Sequence, residues 1–269
     1  TRTKWSEARK QFELWAKTNV KPGTLKRMFI PSLNRLENRF AHLTLDQITV
    51  EMVELSTAVS ITSSAPAVIS GGSVSLTVTE TNDGTGDLSN VQVIVNKDGG
   101  LLATLVAPPD AGDDGDGILE PGETWSWTGI NSGPITSSTE FEALGSGEFD
   151  GVVVSYPDDQ DERDTVTVEA LSTVTTIASS KAVVASGQTV DLTITEANDG
   201  SADLVNPQVA VTQDGAPLAT LVAPPDAGDD GDGILEVGET WSWTIPSDPI
   251  TVNPTVFEAV GSGEFDGII

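Results

Sequence analysis

Two acidic loops contain the residue types and the spacing that could bind a hard metal ion. The first, Gly112-Asp-Asp-Gly-Asp-Gly-Ile-Leu-Glu-Pro-Gly-Glu123, matches the twelve-residue calcium-loop spacing with Gly112 at position 1. Such loops place about six to eight oxygens round Ca²⁺, with a glycine at the sharp turn and a chelating glutamate at the end. The matching ligands in the two loops are Asp114, Asp116, Ile118 (through its carbonyl), Glu120 and Glu123, then Asp230, Asp232, Ile234, Glu236 and Glu239. The sequence therefore predicts Ca²⁺ as a cofactor.

The first position of each loop departs from the calcium pattern. Gly112 and Gly228 stand where an aspartate is usual. Neighbouring aspartates could fold back to supply the missing ligand, namely Asp110, Asp113, Asp226 and Asp229. The alternative is a solvated acidic turn without a metal. Because so many carboxylates in so short a segment repel one another without a cation, we expect the ion.

Other acidic clusters are weaker candidates. They comprise Glu148 with Asp150, the repeat counterparts Glu264 with Asp266, and the group Asp158, Asp159, Asp161, Glu162 and Asp164. A second calcium site near the end of each repeat is conceivable, but we expect these residues to form solvated acidic loops. Paired carboxylates can also serve glycoside hydrolysis. Repeated acids without a distinct cleft motif argue against that chemistry, so we expect no enzyme.

The acidic loops lie in an internal repeat. At an offset of 116 residues, Leu102–Glu120 recurs unchanged as Leu218–Glu236. Val, Thr and Ile alternate with other residues in Ser73–Thr79 and Thr189–Thr195, which is typical of strands, and polar turns separate such runs. Two tryptophans two residues apart in each copy share a strand face and most simply pack in a core. The sequence predicts a mainly β fold: two tandem antiparallel immunoglobulin-like β-sandwich modules, preceded by a small all-α domain. The expected boundaries are 1–54, 55–170 and 171–269.

Charge is divided sharply along the 269-residue chain. Residues 1–55 contain ten Lys or Arg and six Asp or Glu (+4), whereas the rest contains three and 35 (−32). Such an acidic body repels nucleic acid and anionic membranes and favours cations. The absence of cysteine excludes disulfides and thiolate metal sites. No apolar run reaches the ~20 residues of a membrane span. Because the chain begins with Thr and shows no leader, we expect a processed piece or a fragment.

The basic residues 1–54 predict helices. Ser6 can cap a helix that ends near Asn19 and carries an apolar stripe of Trp5, Ala8, Phe12 and Trp15. The order W-x-x-A-x-x-x-F-x-x-W … P-x-T-L-x-R … L-x-x-I-T resembles the core-binding helical domain of tyrosine recombinases. In that family the domain grips DNA, which implies phosphate contacts at Lys21, Lys26, Arg27, Arg35 and Arg39. A solvated helical face is the alternative, because +4 is modest for a DNA binder.

Recombination chemistry itself is excluded. It needs a tyrosine nucleophile beside an Arg/Lys/His cluster, and the chain offers only Tyr156 and His42. Beyond residue 55 only Lys97, Arg163 and Lys181 carry positive charge, too few for a phosphate clamp.

The acidic modules resemble the immunoglobulin-like "conserved repeat" modules of large prokaryotic surface proteins. The resemblance rests on T-x-T-E-x-N-D-G, D-G-D-G-I-L-E-x-G-E-T-W-S-W and F-E-A-x-G-S-G-E-F-D-G, present in both copies. It implies an exported, stalk-like or adhesive array at the cell surface. Two function classes follow: a non-enzymatic structural or adhesive protein stabilised by calcium, or a DNA- or partner-binding protein whose modules form a stalk. The net charge of the modules favours the first and makes nucleic acid an unlikely partner.

The second copy is predicted to lack its last strand. In the first copy, Asp164–Glu169 alternates as a closing strand, and a full second copy would extend to about residue 286, a count that follows from the offset of 116. An open edge of this kind can be filled by strand addition. We therefore expect completion in trans by an extended segment of another subunit, giving a head-to-tail homopolymer. The alternative is a fragment of a longer array.

Overall fold

The computed structural model describes residues 5–19 and 53–268. The chain divides into two compact units, Thr1–Val53 and Glu54–Ile269. In the first unit, helix α1 spans Trp5–Asn19, as the sequence predicts. Ala16 is buried but Trp15 is 54% exposed, so Trp15 does not lie on a buried face as predicted. The further predicted helices, and with them the all-α domain as a whole, lie outside the described residues. No helix in the described ranges is long and apolar enough to cross a membrane.

The second unit contains two β-modules in tandem. In the described residues, the strands of the first module are β1 (Thr57–Ser63), β2 (Ala67–Ile69), β3 (Ser75–Asn82), β4 (Ser89–Lys97), β5 (Gly100–Val106), β6 (Thr124–Asn131), β7 (Thr139–Phe149), β8 (Val152–Ser155) and β9 (Arg163–Leu171). Those of the second are β10 (Thr173–Ser179), β11 (Asp191–Asn198), β12 (Val205–Gln213), β13 (Ala216–Val222), β14 (Thr240–Pro246) and β15 (Phe257–Glu264). The chain is therefore mainly β, as predicted.

The first module is a sandwich of two sheets. Their strand orders are β1-β3-β6 and β2-β9-β7-β4-β5, with β8 paired to β7. All neighbours are antiparallel except β2 and β9, which run parallel. This order corresponds to the A-B-E and G-F-C strands of an immunoglobulin-type sandwich. Inward side chains of both sheets, among them Leu76, Trp125 and Phe141, form one core.

The paired tryptophans are core residues, which confirms the prediction. Trp125 and Trp127 on β6 are buried, and their ring centroids lie 6.2 Å apart in an edge-to-face arrangement. Trp241 and Trp243 on β14 repeat it at 6.0 Å. Such edge-to-face pairs stabilise a core beyond the area that they bury.

The second module has the same layout but a different edge. Its sheets have the orders β10-β11-β14 and β13-β12-β15. Strand β7 of the first module pairs with β4 on one side and with β8 and β9 on the other, whereas β15 pairs only with β12 among the described strands. Phe141 on β7 is fully buried, but its counterpart Phe257 is only partly so. In the described structure, β15 is thus an open sheet edge beside a partly uncovered core.

Candidate metal centres

Each acidic loop connects the two sheets of its sandwich. The first loop leaves β5, at the edge of one sheet, and enters β6, at the edge of the other. Two isolated bridges hold it: Leu119 pairs with Leu88, and Ala111 pairs with Ser126 on β6. Leu88 and Leu119 are completely buried, so the loop is anchored in the core. The second loop has the corresponding bridges.

The backbone explains the departure at position 1. Gly112 has φ +108°, and a Cβ there would overlap the carbonyl oxygen of Thr124 on β6. Gly228 has φ +113° and the same relation to Thr240. An aspartate at either position would be strained and would collide with the strand. The loop therefore packs tightly against the sheet at a position where a calcium loop usually offers a ligand.

The neighbouring aspartate takes its place in the geometry. Asp113, Asp114 and Asp116 each present a carboxylate oxygen within 4.8 Å of the others. Asp229, Asp230 and Asp232 form the same group in the second loop. Each loop has two candidates for the missing ligand. The structure brings Asp113 into the cluster of the first loop and Asp229 into that of the second.

Asp110 and Asp226 face elsewhere. Asp110 Oδ2 accepts a hydrogen bond of 2.6 Å from the Thr128 N–H on β6, and Asp226 Oδ2 accepts one of 2.7 Å from the Thr244 N–H. These carboxylates hold the loop entrance to the strand. They are not part of the aspartate clusters.

Main-chain N–H groups order the clustered carboxylates. Asp113 Oδ1 accepts from the N–H groups of Gly115 at 3.0 Å and Gly117 at 3.1 Å, and Asp116 Oδ1 accepts from Ile118 at 2.9 Å. The second loop repeats these bonds through Asp229 and Asp232, the latter accepting from Ile234. Each of these aspartates keeps its second oxygen clear of these bonds, so that oxygen stays available as an acceptor.

The glutamates add negative charge beside the aspartates. Glu123 Oε2 accepts from the Glu120 N–H at 3.0 Å, and Glu239 Oε2 accepts from the Glu236 N–H at 3.1 Å. The hydrogen bond with the Glu123 side chain, with some desolvation and the charge of Asp116, raises the pKa of Glu120 to about 7. The charge of Asp230 is the main cause of the raised pKa of Glu236. These shifts show that carboxylates crowd one another in both loops, and a cation would relieve the repulsion.

Sequence reasoning missed a buried acidic pair. Glu162 was expected in a solvated loop, but it is completely buried beside the equally buried Glu80 of β3. The alternation of β3 indicates the position of Glu80, because Leu76, Val78 and Glu80 face the same way along a strand. Asp164 was also expected in that solvated loop, but its Oδ2 accepts a hydrogen bond of 2.9 Å from the Ile61 N–H on β1. The basic residues Lys21, Lys26, Arg27, Arg35 and Arg39 lie outside the described residues.

Comparison with known proteins gives distant structural matches. No protein-family model matches the sequence, and no curated protein does. Among solved structures, red sea bream transglutaminase matches at 9% identity and a TM-score of 0.29, over 88% of this chain and 32% of that one. The secreted serine protease VesC from Vibrio cholerae matches at 12% and 0.23, over 80% of this chain and 51% of that one. A type II cohesin dyad from the adaptor ScaA scaffoldin of Acetivibrio cellulolyticus matches at 12% identity and a TM-score of 0.20, over 74% of this chain and 87% of that one. This chain thus spans about a third of the length of the transglutaminase and about half of the length of the protease.

Proposed function

We propose that this chain is a non-enzymatic structural or adhesive array of the cell surface, whose β-modules are stiffened by Ca²⁺. The observation that carries the proposal is the convergence of three aspartates in each of two loops, at the same place in each module. Carboxylate oxygens are the ligands that Ca²⁺ prefers. A site repeated with its module belongs to the architecture of the array rather than to one reaction.

The position of the loops gives the ion a mechanical role. A cation held between β5 and β6 ties the edges of the two sheets together, and Asn82 links the same loop to the end of β3 through bonds to Gly86 and Leu119. Binding to the folded state alone stabilises it by mass action. Calcium at this position therefore resists sliding of one sheet over the other. Extracellular calcium modules typically bind at about 10⁻⁴–10⁻³ M.

The surface location rests on the character of the modules. They are acidic, free of cysteine, repeated in tandem, and similar in motif to the repeats of prokaryotic surface proteins. What such an array would adhere to is a surface or protein partner that tolerates strong negative charge. A net charge of −32 on the modules keeps DNA away and keeps the array soluble.

Self-assembly by strand addition is part of the proposal. Among the described strands β15 pairs only with β12, and a cleft of about 400 Å³ beside it is lined by Leu171, Thr173, Leu204, Gly261 and neighbouring residues. An extended segment of a second copy, with the alternation of β9, would pair with β15 and cover Phe257. Because donor and acceptor surfaces differ, such contacts propagate head to tail into a filament unless they close into a ring.

Chelation tests the calcium part of the proposal. At a hundredfold excess of free Ca²⁺ over Kd, binding stabilises the folded state by about 2.7 kcal/mol. We expect a chelator to lower the melting temperature of the β-modules by several degrees, measured by circular dichroism at the strand signal. Glu123→Gln combined with Glu239→Gln should remove most of this dependence, because the calcium-loop spacing predicts these two glutamates as the chelating ligands.

The matched control is Glu148→Gln combined with Glu264→Gln. These residues occupy equivalent positions near the ends of β7 and β15, where each accepts a bond from an asparagine that glutamine can also satisfy. The control removes the same charge outside the loops and should keep the full response to chelator. A melt of the unaltered chain that is the same with and without chelator would contradict the calcium proposal.

A further inference from the structure

The interior of the first module contains two carboxylates without ordinary partners. Glu80 lies on β3 between Val59 of β1 and Trp125 of β6, and Glu162 immediately precedes β9. Both side chains are completely buried, and none of their four oxygens makes a hydrogen bond of ordinary geometry to a described residue. Unpartnered buried carboxylates are costly, since burial removes the water that solvates their charge.

The backbone of β7 is shaped around this pair. A Cβ on Gly145 would overlap an oxygen of Glu162, and it would also lie 2.5 Å from Oε2 and 2.9 Å from Oε1 of Glu80. The Gly145 N–H donates to the Glu162 carbonyl at 3.0 Å, which fixes the segment before β9 against β7. The missing side chain at Gly145 thus makes the space in which the two carboxylates meet.

A third polar group lies beside the same pair. The Thr57 hydroxyl is completely buried, lies close enough to the Glu80 carboxylate to lower its pKa, and makes no hydrogen bond of ordinary geometry to a described residue. Toward the surface, the charges of Asp159 and Asp83 act on Glu162. Two buried carboxylates and a buried hydroxyl therefore lie close together, with the charges of two further aspartates nearby.

Either a proton or a cation could relieve this arrangement. Burial, reinforced by the neighbouring carboxylate, raises the pKa of Glu80 to about 10, and burial raises that of Glu162 to about 7. A shared proton would satisfy one oxygen–oxygen contact and leave the remaining carboxylate oxygens and the Thr57 hydroxyl without partners. A single cation would instead be coordinated by oxygens of both carboxylates and of the hydroxyl.

We propose that Glu80, Glu162 and Thr57 hold a divalent cation, Ca²⁺ by the hardness of their oxygens, inside the first module. The ion joins β1, β3 and the start of β9, so it locks the closing strand onto the sandwich. This site is separate from the acidic loops and does not depend on them.

The second module provides an internal comparison. Its counterpart of Glu80 is Glu196, which is also buried, and Gly261 makes the same space beside it. There, however, the Thr175 hydroxyl donates to Glu196 Oε2 at 2.5 Å and accepts from the Gly261 N–H at 3.0 Å. No second buried carboxylate stands beside Glu196 in the described residues. We therefore expect this position to hold no ion.

The test counts Ca²⁺ bound to the full chain by equilibrium dialysis and native mass spectrometry. The unaltered chain should bind one ion per loop and one more. A loop-disabled chain, with Asp114→Asn, Asp116→Asn, Asp230→Asn and Asp232→Asn, should keep a single ion. Adding Glu162→Gln should abolish that ion, whereas adding Glu196→Gln, the matched control, should leave it.

A second measurement needs no change at the buried site. In the loop-disabled chain, Ca²⁺ should slow hydrogen exchange at the Gly145 and Val59 amides, which donate to the carbonyls of Glu162 and Asp161. A loop-disabled chain that folds but binds no ion overturns the proposal, as does an ion that survives Glu162→Gln. Failure of the loop sites is a different result: the unaltered and loop-disabled chains would then bind the same number of ions.

Discussion

At the residue scale, Gly145 is the position where one added methyl group has the clearest consequence. Gly145→Ala would drive a Cβ into the carboxylates of Glu80 and Glu162, and both of these residues are completely buried. Overpacking of this kind typically costs about 1–3 kcal/mol. We expect a matching fall in the free energy of unfolding, measured by urea denaturation of the full chain.

Gly100→Ala is the control for Gly145→Ala. Gly100 begins β5 with no positive φ, and its added Cβ would meet only the Lys97 carbonyl oxygen at 3.4 Å. Alanine there should change stability little. An equal response at the two glycines would mean that loss of glycine flexibility, rather than collision with the acidic pair, determines the effect.

Residue types in the sequence identified the acidic loops, but not their ligand order. The spacing places Asp114, Asp116 and Glu123 at calcium positions, and the structure brings Asp113 into the cluster because Gly112 is pressed against β6. The burial of Glu162 depends on β1, β3 and β7, which are distant in sequence. Spacing within a loop can be read locally, whereas contacts between distant strands cannot.

At the element scale, Asn82 couples the end of β3 to the acidic loop. Its buried Nδ2 donates to the carbonyls of Gly86 and Leu119 at 2.7 Å each, and its Oδ1 accepts from the Gly84 N–H. Asn82→Ala removes all three bonds, although the Leu119 carbonyl keeps its bond from the Leu88 N–H and the Gly84 N–H keeps its bond to the Ser56 carbonyl. Loss of one such hydrogen bond typically costs about 0.5–1.5 kcal/mol. We expect a lower unfolding free energy and also weaker Ca²⁺ binding to the first loop, measured by calorimetric titration.

Asn96→Ala is the matched change for Asn82→Ala. The side chain of Asn96 on β4 donates a partly buried hydrogen bond to Glu142 Oε2 at 3.0 Å, and Glu142 lies on β7, outside the acidic loop. Its loss should reduce stability slightly and leave calcium affinity unchanged. If Asn82→Ala destabilised the module without altering calcium affinity, the strand end and the loop would be independent.

The alternation of residue types in the sequence predicts where strands lie better than it predicts which strands pair with each other. The runs at Ser73–Thr79 and Asp164–Glu169 correspond to β3 and β9. The parallel pairing of β2 with β9 joins residues about a hundred positions apart, and no local pattern indicates it. Helix α1 ends at Asn19 as predicted, yet Trp15 is exposed whereas the neighbouring Ala16 is buried. Periodicity identifies an element, and tertiary packing decides which of its side chains are covered.

At the scale of the whole molecule, the two modules differ at the sheet edge beside Gly145 and Gly261. In the first, β9 covers the edge and the Glu162 carbonyl accepts the Gly145 N–H. In the second, the Thr175 side chain accepts the Gly261 N–H and donates to Glu196. The residue of the first module that corresponds to Thr175 is Val59, which cannot make either bond. Thr175 therefore acts as a partial substitute for the strand that β15 lacks in the described structure.

Thr175→Val should make the second module a better acceptor of an added strand. The substitution frees the Gly261 N–H and removes the hydroxyl donor from Glu196, as at Val59. A peptide with the sequence of residues 162–171 would supply a carbonyl to Gly261 and cover Phe257, and in the unaltered chain it must first displace Thr175. We expect the peptide to bind the variant several-fold more tightly than the unaltered chain, measured by fluorescence anisotropy, with added exchange protection along β15. A peptide with the same residues in scrambled order is the control, since it keeps the charge and composition but not the alternation. If both peptides bind alike, or if Thr175→Val weakens binding of the ordered one, β15 is not an acceptor edge and assembly by strand addition at this site is wrong.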